Sequence, residues 1–212
     1  MNEPEQPEQA GQPAPIDLVS ATATNLAAME RVLDALVSLK GEFPAGGNSS
    51  ERWFFTATCT VVFANYRLQQ HLGALAAAQG PWPTRLAGRA LGAAMIDTVD
   101  TVSDLTTRTF ERHLAAITNN PAITDPIDAL FKRFAAFRRV NDTRLRVARK
   151  ALGLDEDAKQ RELLAFDADL DLGGHSQLAM ETIVWLTDFG KAATLLIGVI
   201  RSERARGGPQ QN

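Results

Sequence analysis

Cysteine occurs once in the 212 residues, at Cys59, so the chain can form no internal disulfide and no cysteine-based zinc cluster. Cys59 lies within an apolar stretch, where a thiol serves as a small buried hydrophobe rather than a nucleophile. Histidine is almost as scarce. His71, His113 and His175 have no metal-ligand spacing between them, and the residues three positions earlier are Leu68, Phe110 and Leu172. The Glu-x-x-His pairs of a carboxylate-bridged di-iron bundle are therefore missing. Neither charge sign is in large excess: 22 basic and 25 acidic residues give a formal net charge of -3. No global charge demands nucleic acid or an anionic membrane. There is no phosphate-cradling glycine loop, no nucleophile elbow and no Cys/His couple. No basic-then-apolar segment opens the sequence. Together these absences predict a cytoplasmic protein without cofactor or metal.

The stretch Trp53–Tyr66, WFFTATCTVVFANY, contains no charged residue. At 14 residues it falls short of the roughly 20 that a membrane span needs, and Arg67 follows directly. Its large side chains point all round a helix, which predicts a central helix covered on every side. Ser49 or Ser50 suits the helix start and Gly80-Pro81 the stop, giving a helix over about 50–79.

The rest of the chain reads as helices around that one. Ile16, Val19, Leu26, Met29, Leu33, Leu36 and Leu39 mark an amphipathic helix over 16–40. A third helix is expected over 85–118, capped by Thr84. Within it Gly88 and Gly92 imply close approach by a neighbouring backbone. Asp125-Pro126 is expected to start a fourth helix over 126–152. Seven acids and two bases between Asp155 and Asp171, with Leu163, Leu164 and Phe166, suggest a short helix with an acidic outer face. A last helix covers 175–205, with Leu178, Trp185, Phe189, Ala192, Leu196 and Ile200 on its apolar face. Asp188 and Lys191 interrupt that apolar run and argue against a membrane span. Residues 1–15 and 207–212 are rich in Pro, Gln, Glu and Gly and are expected to be disordered tails. The prediction is all-α: a single domain over 16–206, a mostly antiparallel bundle of five long helices and one short one.

Several residue sets bear on function. Asp97, Asp100 and Asp104 share a helical face and could hold Mg²⁺, but no second acidic helix matches them. A solvated face with Asp104 paired to Arg108 is the simpler reading. Lys132, Arg139, Arg146 and Lys150 form a basic stripe that could track a phosphate backbone. It lacks interleaved exposed aromatics, so pairing with the acidic segment or with another subunit is the competing reading. Asn141 interrupts the apolar stripe of its helix and needs hydrogen-bond partners there. His175, after two glycines at a helix start, is expected to be the most exposed histidine. Gly190, Thr194 and Gly198 make a small-residue ridge that another helix could approach.

The run Arg108-Thr109-Phe110-Glu111-Arg112-His113 resembles the Arg-x4–6-His signature of HEPN-type ribonucleases. That family is all-helical, frequently dimeric, and found in toxin–antitoxin and phage-defence systems. The resemblance implies that Arg108 holds phosphate and that His113 is the acid/base of a metal-independent cleavage. The residues themselves also read more simply, with His113 a half-buried structural histidine on the apolar side of its helix. Three functions are therefore expected in order: a non-enzymatic bundle acting through protein–protein contact or self-association, a HEPN-like ribonuclease, and a nucleic-acid-binding protein using the basic stripe.

Overall fold

The computed structural model describes residues 18–44, 46–105, 108–152 and 171–206. They form six α-helices: α1 (Leu18–Leu39), α2 (Ser49–Ala77), α3 (Pro81–Leu105), α4 (Arg108–Ile117), α5 (Pro121–Ala151) and α6 (Leu172–Arg206). A 3-10 turn, Lys40–Glu42, follows α1. The fold is all-α, and the helices pack as a bundle. Residues 1–15, 155–170 and 207–212, which carry the expected tails and the acidic helix, lie outside the described residues.

Helix α2 is the hub and touches α1, α3, α4 and α6. Polar cross-links tie α1, α3 and α6 to it. Tyr66 donates to Glu30 of α1, Arg67 pairs with Asp97 of α3 at 2.9 Å, and Asn65 donates to Thr187 of α6. Asn48, one residue before the expected serines, caps the helix, its Oδ1 accepting from Ser50 N at 2.9 Å. Ala57, Val61, Leu68 and Leu72 are buried, as are Phe55 and Val62. The expectation of cover on every side is corrected at Phe63, which is 52% exposed. Four neighbours wrap most of the helix and leave a strip with Thr56, Phe63 and Gln70 open.

The expected third helix is in fact two elements, α3 and α4. As a separate ten-residue helix, α4 buries Phe110 and Leu114. Phe110 sits edge-on to Phe131 of α5 with ring centroids 4.5 Å apart, and lies near Trp53, Phe54 and Phe189. Full burial of one such ring contributes about 1.5–3 kcal/mol. Among the described residues there are five long helices and one short one, α4; the expected short helix falls outside them.

Helix α5 begins at Pro121, not at Pro126. Asn120 Oδ1 accepts from Ala122 N at 3.1 Å and caps the start. Pro126 lies inside the helix. It falls so near the N-terminus that its missing N–H removes a single intrahelical bond, to the first turn. Trp185 Nε1 of α6 donates to Leu130 O at 2.7 Å, and further along α5 Arg144 donates to Gly174 O near the start of α6, so α5 and α6 run antiparallel. Helix α6 starts at Leu172, a turn earlier than expected. Its first turn packs onto the two glycines of α3. A Cβ on Gly88 would collide with Leu172, and one on Gly92 would lie 2.9 Å from Leu152 Cδ1 and 3.4 Å from His175 Nδ1. The glycines do permit close approach, but by side chains rather than a backbone.

Candidate functional site

Both residues of the expected catalytic pair lie on α4. Arg108 is the exposed first residue of α4. His113 is half-buried; its ring stacks on Trp53 at 4.6 Å and its Nδ1 hydrogen-bonds Ser50 Oγ at 3.0 Å. Five residues on a regular helix turn about 140°, which separates the two side chains. The imidazole holds α4 against the start of α2.

The acidic face of α3 is divided among basic partners. Asp97 pairs with Arg67, and Asp100 with Arg149 of α5. The helix break separates Asp104 from Arg108, and no ion pair joins them among the described residues. Nor do three His, Cys, Asp or Glu side chains converge as a metal-binding group among those residues.

The basic side of α5 is split as well. Arg133 and Arg149 pair with other helices, and Arg146 pairs with Asp142 at 2.6 Å along its own. Arg144 donates to Asn141 Oδ1 and to Gly174 O. Asn141 Nδ2 donates to Phe137 O at 3.1 Å, so the buried amide is held in a polar network. Lys132, Arg138, Arg139 and Lys150 are exposed and have no ion pair among the described residues. Lys132 borders a shallow depression of about 550 Å³ between α4 and α5, beside Glu111, Asp128 and Phe131.

His175 is buried at 5% exposure, not exposed as expected. The earlier start of α6 places it in the first turn, where the missing side chain of Gly92 makes room for the ring. Burial pushes its imidazole below the ordinary value; Asp171 raises it and Arg144 lowers it further. A cavity of about 170 Å³ borders His175, Arg144 and Asp171, but the Asp171 carboxylate already accepts from Gly174 N at the helix start. His71 is also lowered, by burial and then by Arg67, and burial raises the Cys59 thiol.

The expected ridge on α6 is open. A Cβ added at Gly190 or Gly198 would meet nothing within 4 Å. Thr194 is exposed, and its hydroxyl donates back to Gly190 O. Sequence reasoning missed the apolar residues around this ridge: Leu195 is 71% exposed, Val184 55% and Met180 44%. The signal was present, because Val184 and Leu195 project away from the Phe189–Leu196 stripe at 100° per residue. The most apolar 18-residue window of α6 has a mean hydropathy of 1.6, yet only 39% of it is buried. By length and composition alone, α6 is the one helix among the described residues that could cross a membrane.

No protein-family model, no curated protein and no solved structure matches the chain.

Proposed function

We propose that this chain is a helical-bundle interaction module, non-enzymatic, that acts by docking protein on the exposed face of α6. The observation that supports it is the mismatch on that helix between apolar character and cover. A helix this apolar is ordinarily buried, and apolar surface left open on it, here at Met180, Val184 and Leu195, suits a docking partner. Lys191, with its side chain 72% exposed, and Asp188 sit midway along the helix. Charged groups at that depth are costly in hydrocarbon, which favours a protein partner over a bilayer. The separation of Arg108 from His113 favours this reading over the ribonuclease. A photo-crosslinking amino acid replacing Thr194 in cells tests it. The expected result is one discrete crosslinked protein species; the absence of any protein adduct refutes the reading.

A second reading rests on Lys132, Arg138, Arg139 and Lys150, which remain exposed without ion pairs among the described residues. It assigns them to a nucleic-acid backbone. It requires binding that weakens steeply with salt, and salt-independent absorbance ratios of the purified protein would exclude it.

A further inference from the structure

The start of α3 carries an apolar, cationic face. Trp82, Arg85, Leu86 and Arg89 recur at three and four residues and so lie on one side of the helix. Trp82 is 58% exposed and Leu86 54%. The Arg85 guanidinium stands 5.6 Å from the Trp82 ring centroid. No acid occurs on α3 before Asp97, and the helix dipole adds positive character at this end. The complement of such a face is an acidic segment with large apolar side chains.

The chain itself brings such a segment to this place. Residues 153–170 join α5 to α6, and both ends of that connection are pinned to the start of α3. Arg89 Nη2 donates to Leu152 O at 3.5 Å, and Leu152 lies over Gly92. Leu172 takes the space of a Gly88 Cβ. Those glycines are one turn apart, so a few residues would bridge the two ends, yet 18 residues are present. Between Asp155 and Asp171 they carry seven acids and two bases, with Leu163, Leu164 and Phe166. Phe166 lies six residues before Leu172, a reach of up to about 20 Å, whereas Gly88 to Trp82 is about 9 Å along α3.

We infer that residues 155–170 occupy the Trp82–Arg89 face of α3 in their own chain. Leu163, Leu164 and Phe166 meet Trp82 and Leu86, and the acids stand opposite Arg85 and Arg89. The basic stripe of α5 is the competing seat. Arg139, Arg146 and Lys150 are about 120–160° round α5 from Leu152, so the chain leaves α5 on the side away from them. Residues 1–15 carry acids too, but no large apolar side chain to meet Trp82. The α3 face is therefore satisfied from within and is not a docking site for another protein. The docking proposed on α6 stands or falls separately.

Disulfide trapping in the full chain tests the placement. Cys59→Ala removes the native thiol, and Phe166→Cys is combined with Leu86→Cys. Under mild oxidation the expected product is a disulfide within one chain. It should form at least severalfold faster than when Phe166→Cys is combined with Val147→Cys, a 63% exposed site on α5 that borders the same cavity as Asp171. A rate no faster than that control, or a product that joins two chains, overturns the inference. A second measurement forms no new bond. Trp82→Ala and Phe166→Ala together should lower the melting temperature by less than the sum of their separate effects, while Val147→Ala and Phe166→Ala add fully. Additivity at Trp82 and Phe166 overturns the inference as well.

Discussion

Replacing Phe110 with alanine removes the largest buried side chain of α4. Phe110 is 1% exposed and meets rings from α2, α5 and α6. A Phe→Ala change at a buried site costs about 3–5 kcal/mol, the lost transfer energy plus a cavity. The upper half applies here. The closest ring pair, to Phe131 at 4.5 Å and 77°, has edge-to-face geometry worth about 0.5–1.5 kcal/mol beyond area. Four partners on three other helices cannot all collapse into one void. Leu114 is then the one buried side chain left on α4, helped by half-buried His113 and Ile117, and an isolated ten-residue helix is marginal in water. We expect a loss of about 4 kcal/mol, which for a chain of this size lowers the melting temperature by about 8–16 °C. Urea unfolding followed by circular dichroism measures it. Hydrogen exchange should show the amides of α4 losing protection before those of α2. Phe110→Leu keeps most of the volume and should cost well under half as much. A Phe110→Ala loss below about 1 kcal/mol, with α4 still protected, would refute the reasoning.

Acidification should weaken the fold through His175. Its folded-state value is depressed, so the unfolded chain takes up the proton first. The stabilisation is complete above the unfolded value of about 6.5 and is lost as pH falls from there through the folded value. His71 acts in the same direction. Urea midpoints at neutral and mildly acidic pH should fall less for His175→Gln than for the parent, and equal slopes would contradict this. Gly190→Ala and Gly198→Ala should each stabilise the monomer by up to about 1 kcal/mol, because α6 gains helix propensity and meets nothing. Gly92→Ala should gain less or lose, since its Cβ crowds Leu152. Thermal melts of the three variants compare them, and destabilisation at Gly190 would mean that the ridge is covered. Asn141→Ala strips one acceptor from Arg144 and empties a buried position, so a loss of about 1–3 kcal/mol is expected in the same assay.

Side-chain period and breakers carried much of the fold. The stripes through Leu178, Trp185, Phe189, Leu196 and Ile200 on α6, and through Ile127, Leu130, Phe134 and Leu145 on α5, are buried as their spacing predicts. Boundaries were less legible, because caps compete locally. Asn48 and Asn120 outbid neighbouring serines and Asp125-Pro126 as helix starts. The division between α3 and α4 was not visible, since no proline or glycine marks it and the apolar period runs on through Phe110. Of the candidate sites, the ridge at Gly190, Thr194 and Gly198 was legible as a pattern, but its openness was not.

What the sequence determined alone is the all-α class and which face of each long helix is apolar. Those follow from local period, which needs no knowledge of neighbours. Only the tertiary structure decided that Phe63 is left open, that His175 is buried in the space at Gly92, and that His113 is bound to Trp53 and Ser50. It also decided that α6 keeps an uncovered apolar side. The physical reason is common to all four. Burial belongs to a pair of surfaces, and residues far apart in the chain must meet before either surface is removed from water.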